Sequence, residues 1–345
     1  MIWLAWRRHR TNLLVVLGLL MALGAWMAAV EWQFHTAPVL RTETIPGFSI
    51  ERLREYNYGP RLFWLPWQVS EIHALLLAVP CVVGVLLGTP LVAGEYDDRT
   101  NRLAWTQGIG RTRWLVTKWV VAGIPLVAMT VGLAVGTHLW SFHVIGATQA
   151  TGNLGAFGNG GRLQPGVFPV SGVVPVAYAL FAFALGTTLG ALLRRVTWAV
   201  VGTVVVYGLA LLVMTTTVRP VLAPQFFAYD GGTISPAAQR ILYGAGPDYY
   251  GAGGADPWLI SSGYQFVAGY HPPAGTPSPE AIVLHCEYHA TVPSNCIAAA
   301  HLEYGSSFQP AYNYWKLQWR ESAIYVAASV LLLALGLWAV RRWRA

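Results

Sequence analysis

The chain has 345 residues, 55% of them hydrophobic and only 11% charged, with 16 Trp and a mean hydropathy of +0.46. Soluble domains carry about 25% charged residues, so a freely soluble globular protein is excluded. The formal charge of +7 raises nucleic acid as a partner, but the placement of Lys and Arg below assigns the charge to membrane orientation, with no nucleic-acid partner.

Met1–Arg10 (MIWLAWRRHR) sets Ile2, Trp3 and Trp6 among Arg7, Arg8 and Arg10. As a helix along the membrane surface it would hold indoles at headgroup depth and guanidiniums toward anionic lipid. It is equally read as the flank of the first span. Apolar runs long enough to cross about 30 Å of hydrocarbon then follow at Thr11–Val30, Glu71–Ala93, Trp114–Phe142, Val170–Leu193, Thr197–Val218 and Ser322–Val340. The first is read as an uncleaved anchor: about 20 apolar residues exceed a signal peptide's apolar core, and bulky Trp32 and Phe34 follow.

Threading six spans gathers Arg7, Arg8, Arg10, Arg99, Arg102, Arg111, Arg113, Lys118, Arg194, Arg195, Arg341, Arg342 and Arg344 on one side. These basic residues crowd short connections, where the positive-inside rule is read, so both termini are expected in the cytoplasm. The expected organisation is a surface helix over 1–10, spans 1–5 over 11–218 with an elbow at 94–113, an extracytoplasmic cap over 219–321, and the last span with a basic tail over 322–345.

On the outer side, Glu31–Ser70 offers a surface helix around Ser49–Tyr56, and His143–Pro169 is Gly-rich and reads as flexible. The cap, about 100 residues rich in Gly, Pro and Tyr, holds Cys286 and Cys296 in HCEYHATVPSNC. On an oxidising side they suit a disulfide closing a short loop. The set His285, Cys286, His289, Cys296 and His301 also resembles a mixed zinc site, although that compartment disfavours free thiolates. Cys81, mid-span, reads as a small core residue.

Between the second and third spans runs LVAGEYDDRTNRLAWTQGIGRTRWLVTK, a polar and basic elbow too short to be a domain. Asp97 or Asp98 can cap a short helix to about Gln107, with Gly108 as its stop. Arg99, Leu103 and Gln107 then share one face, and Arg102, Trp105 and Thr106 a neighbouring one. Thr112 can cap the next helix. Such a helix suits a partner's groove; an ordinary positive-inside loop anchored by Trp105 and Arg111 fits the same pattern.

No GxxxxGK[ST], HExxH or GxSxG occurs, and no carboxylate pair lies within the spans, so the chain is expected not to be an enzyme. His73, His138 and His143 fall near span ends, where amphipathic side chains are ordinary. Gly84 with Gly88 and Gly186 with Gly190 have the small-xxx-small spacing that lets helices approach, either between two copies or within one subunit.

Three stretches carry a resemblance. AGEYDDRTNRLAWTQGIGRTRWLVTKW after the second span, FQPAYNYWKLQWRESAIY (Phe308–Tyr325) before the last, and the opening MIWLAWRRHR are similar to actinobacterial permease subunits of the ABC-2 type. The likeness covers essentially the whole chain. It implies an all-α membrane protein with six transmembrane helices in the ABC-2 permease fold and a large extracytoplasmic loop between helices 5 and 6. It further implies an exporter subunit in the cell membrane, paired with a second permease copy as a homodimer and driven by a separate ABC ATPase. That ATPase binds ATP and Mg; no cofactor is expected in this chain. The elbow then matches the coupling helix, with Glu95, Arg99, Arg102, Trp105, Arg111 and Arg113 as ATPase-contact residues. The sequence departs from the commoner pattern at Asp97–Asp98, where a Glu–His-like pair is expected, and at Arg320, which replaces an apolar residue. The rival reading is a membrane-anchored sensor or assembly factor whose outer cap binds a ligand.

Overall fold

The computed structural model describes residues 2–36, 59–97, 110–150, 162–224, 226–229, 258–267, 270–273, 275–289 and 293–342. In chain order these form α1 (Ile2–Thr36), α2 (Gly59–Val83), a π-helical turn (Gly84–Gly88), α3 (Thr89–Asp97), α4 (Arg111–Ala150), α5 (Val174–Leu193), α6 (Val196–Val213), a second π turn (Met214–Val218) and α7 (Arg219–Val221). Strand β1 (Phe226–Tyr229), β2 (Trp258–Phe266), α8 (Pro279–His289), α9 (Pro293–Ala299), β3 (Leu302–Gln309) and α10 (Tyr314–Arg342) complete the described chain.

Among the described residues six helices are long and apolar enough to cross a membrane: Arg10–Gln33, Gln68–Asp97, Arg111–Ser141, Val174–Leu193, Val196–Val221 and Tyr314–Arg342, hereafter spans 1 to 6. Two starts, those of spans 4 and 6, differ most from the expected ones. Span 4 begins at Val174 because Phe168–Val170 form a 3₁₀ turn and Gly172 takes φ +71°. Span 6 begins at Tyr314, eight residues early, because its polar Gln318 and Glu321 turn inward and are wholly buried. Ile2–Arg10 continues span 1 in the single helix α1. The Ser49–Tyr56 surface helix and the Gly-rich residues 151–161 lie outside the described residues.

Span 4 is the hub. It is 72% buried, against 17% for span 5, and its glycines explain the close fit to span 2. A Cβ on Gly84 would lie 2.5 Å from the Ala182 carbonyl oxygen, and one on Gly186 the same distance from that of Gly84. A Cβ on Gly88 or Gly190 would likewise lie 2.8 Å from the Phe183 or 2.9 Å from the Thr89 carbonyl oxygen. Both Gly pairs therefore serve packing within the subunit.

Each π turn ends two residues before a proline. Pro90 and Pro220 lack an N–H, and their rings crowd the carbonyl four residues back. In each case the preceding amide instead reaches back five residues, Thr89 to Gly84 and Arg219 to Met214. The Leu86 carbonyl, left free by Pro90, accepts 2.9 Å from Asn12 Nδ2 of span 1. Sequence chemistry thus fixes where two spans depart from regular helix.

One end of the bundle is basic. There Arg341 Nε donates to Thr112 Oγ1 (3.2 Å), and Arg194, in the two-residue turn between spans 4 and 5, lies over the Tyr96 ring. The opposite end carries a three-stranded antiparallel sheet in the order β1-β3-β2, with Phe226 opposite Phe308 and Trp258 opposite Gln309. Among the described residues the membrane part is helical, but the connection between spans 5 and 6 adds a sheet to its two short helices; the all-α expectation missed this sheet, whose pairing is long-range. The connection also starts later and ends earlier than the expected 219–321, since Arg219 and Glu321 belong to helices α7 and α10. Cys286 and Cys296 are bonded, with Cα atoms 5.6 Å apart, joining α8 to α9. That bond takes both sulfurs from the candidate zinc set.

Exposed Trp315 and Trp319 near the sheet end and Trp338 near the basic end suit the two aromatic belts of a bilayer. From Trp319 to Trp338 the helix rises about 28 Å, close to one hydrocarbon thickness.

Candidate functional site: the elbow base and the opposite clamp

Glu95 sits on the last turns of α3, just before the elbow, and is only 8% exposed. Its Oε1 is 2.5 Å from Lys118 Nζ, two turns into span 3. The same ammonium donates to the Leu91 carbonyl (2.8 Å) and lies 4.2 Å above the Trp114 ring. Taking two charges out of water costs several kcal/mol per ion, so such a pair survives only with good geometry and added hydrogen bonds. Here both are present. Spans 2 and 3 therefore enter and leave the elbow clamped together.

Asp97 closes the same helix, and the expected elbow helix, with Asp98 as its alternative cap, lies outside the described residues. Its Oδ2 accepts from Val196 N at 3.1 Å, one of the unpaired amides at the start of span 5. The expected capping by Thr112 is also replaced: Thr112 lies within the first turn of α4 and binds Arg341, while Trp114 N bonds to the Gly110 carbonyl. The elbow base thus touches spans 3, 5 and 6.

Of the residues expected to contact an ATPase, Arg111 is half-buried and Arg113 exposed at the start of span 3. Arg99, Arg102 and Trp105 lie outside the described residues. Glu95 is buried against Lys118 and holds the elbow base.

At the sheet end, Arg219 and Glu321 are wholly buried. Arg219 Nε donates to Glu321 Oε2 (2.8 Å) and Nη2 to Glu321 Oε1 (2.9 Å), the planar fork meeting the carboxylate twice. Nη2 also reaches Tyr178 Oη of span 4 (3.0 Å), and that hydroxyl donates to Glu321 Oε1. The Phe168 ring covers the guanidinium at 4.7 Å. One turn away, Gln318 uses both ends of its amide. Its Oε1 accepts from Val173 N and Val174 N, each at 3.0 Å, and its Nε2 donates to the Phe168 and Ser171 carbonyls. It caps span 4 from span 6. Gln309 and Asn313 tie the sheet to the chain leaving span 5 through the Pro220, Ala223 and Pro224 carbonyls.

Sequence reading missed this clamp. Its only signal was an ionisable residue at the edge of each of two apolar spans, which in a membrane helix faces a protein interior. The clamp accounts for Gln309, Asn313, Gln318 and Glu321 of FQPAYNYWKLQWRES. Arg320 also has a partner, its Nη1 donating to the Leu222 carbonyl past the end of span 5.

The sequence profile of the ABC-2 membrane transporter related family matches residues 13–219, which run from span 1 through the elbow to Arg219. No curated protein and no solved structure matches the chain. The profile spans more than half of the residues and includes five of the six apolar helices. The chain is therefore a membrane protein belonging to the ABC-2 membrane transporter related family, the permease component of an ABC transporter, and its family implies an ABC ATPase as partner.

Proposed function

We propose that the chain is the membrane subunit of an ATP-driven exporter, working as a pair of copies with both termini and the elbow in the cytoplasm. The basic end supports this orientation, because Arg10, Arg111, Arg113, Arg194, Arg195, Arg341 and Arg342 sit at helix ends or in short turns there. The observation that carries the reading is the Glu95–Lys118 clamp, which stiffens the root of the elbow without occupying it. A lever moved from outside by an ATPase needs such a rigid root. ATP binding would close the ATPase pair, displace the elbows and rock the spans so that a cavity between the copies opens outward.

The cargo is read as hydrophobic or amphipathic. Apolar grooves open sideways between spans 1 and 2 and among spans 3, 4 and 6, the latter about 660 Å³ and lined by Trp119, Leu180, Phe183, Val326 and Leu333. A molecule entering from the lipid would meet no polar barrier there.

Co-purification tests the reading. The tagged chain should bring down an ATPase whose turnover falls when Arg99→Glu and Trp105→Ala are combined. Recovery of the folded chain with no ATPase would instead favour the membrane-anchored sensor.

A further inference from the structure

Span 5 is held at its ends and loosely along its body. At the basic end its first amide is bound by Asp97, the residue at which span 2 gives way to the elbow. At the sheet end Arg219 is locked to Glu321 and Tyr178, and the Leu222 carbonyl is held by Arg320. Between these points it is the least enclosed of the six spans, 17% buried. Its buried stripe is Ala199, Thr203, Tyr207 and, in the π turn, Met214, so that up to Tyr207 only small side chains are buried. Small side chains make few dispersion contacts, so the half below Tyr207 is weakly gripped.

The junction between the loose body and the fixed end is the π turn Met214–Val218, closed by Pro220. Within it Thr215 and Thr216 hydroxyls bond back to the Leu211 and Leu212 carbonyls at 2.9 and 2.7 Å. A π turn, a proline and hydroxyls competing for helix carbonyls each favour bending at one place. Three such features coincide within seven residues. The anchor, Arg219, lies within the same stretch, directly after the π turn.

We propose that span 5 is the strut that carries the elbow's displacement across the membrane: Asp97 moves its basic end, Met214–Val218 is the pivot, and Arg219 bound to Glu321 and Tyr178 is the fixed anchor. This rests on the exporter reading, because the displacement comes from an ATPase. It adds a route through one subunit, from elbow base to sheet, that needs no contact between copies. The clamp beyond the pivot keeps spans 4, 5 and 6 and the sheet together while the lower half of span 5 swings.

The test uses the chain with its co-purifying ATPase in nanodiscs, in a Cys81→Ala background, diluted with unlabelled chain. Spin labels at Val201→Cys, Val221→Cys and Arg113→Cys are each measured against Leu331→Cys on span 6, without nucleotide and with Mg-ATP and vanadate. The strut requires a shift of about 5 Å at position 201 and none at position 221. Asp97→Ala should abolish the shift at 201, whereas Asp97→Asn, which keeps an acceptor oxygen, should retain it. If position 113 moves but 201 does not, if 201 and 221 move together, or if Asp97→Ala changes nothing, the strut is wrong and the exporter reading stands. If no label responds to nucleotide, both fall.

Discussion

Arg219 and Glu321, 102 positions apart, meet in a two-toothed ion pair that is wholly buried. Each comes from the edge of an apolar helix, and Tyr178 of span 4 completes the set. With Tyr178 the pair joins spans 4, 5 and 6. A charge pair in this setting gives little net stability over an apolar replacement, but breaking it leaves one charge uncompensated.

Glu321→Ala should therefore cost about 3–5 kcal/mol, whereas Glu321→Leu combined with Arg219→Met should cost distinctly less than either change alone. Thermal unfolding of the purified chain in detergent measures both. Equal losses in the single and double variants would show that the residues do not act as a pair.

Lys118→Met should behave in the same way at the other end, stranding Glu95 at a cost of about 3–5 kcal/mol, with partial recovery when Glu95→Gln is added. The double variant should still bind the ATPase but respond poorly to it, because the elbow root has lost its clamp. Melting curves and nucleotide turnover of the complex separate these effects.

The glycines supply a packing test. Gly84→Ala and Gly186→Ala each place a methyl 2.5 Å from a facing carbonyl oxygen, so each should destabilise by about 1–3 kcal/mol. Gly18→Ala, with nothing within 4 Å, should be neutral or stabilising by up to about 1 kcal/mol. Because the tight contacts lie within one subunit, the loss should appear as lower stability that does not vary with protein concentration.

Reduction of Cys286–Cys296, which closes a separation of 10 residues, should lower the stability of the connecting region by about 3 kcal/mol on the chain-entropy account. Replacing both cysteines by Ser should do the same, and addition of zinc should rescue neither. Proteolysis of that region with and without reductant reads the change.

The six spans were legible because a hydrocarbon core demands long apolar runs, and such runs dominate local hydropathy. Span 6 was read eight residues short for the same reason: Lys316, Gln318, Arg320 and Glu321 interrupt its hydropathy although Gln318 and Glu321 face protein. The Arg219–Glu321 pair was invisible because nothing local announces a partner 102 residues away. The sheet was missed likewise, since β1 and β3 pair across some 80 residues of Gly-, Pro- and Tyr-rich chain. At the elbow base, the long-range partner of Asp97 was not legible in the sequence. Asp97 looks like a local cap, and only the fold shows that it caps span 5.

Side-specific cysteine labelling tests the central claim most directly, that force enters at the basic end from the cytoplasm. In a Cys81→Ala background, Arg113→Cys should react with a membrane-impermeant maleimide only after the cells are permeabilised. His271→Cys, exposed in the connection between spans 5 and 6, should react on intact cells. Reaction of Arg113→Cys from outside intact cells would contradict the account.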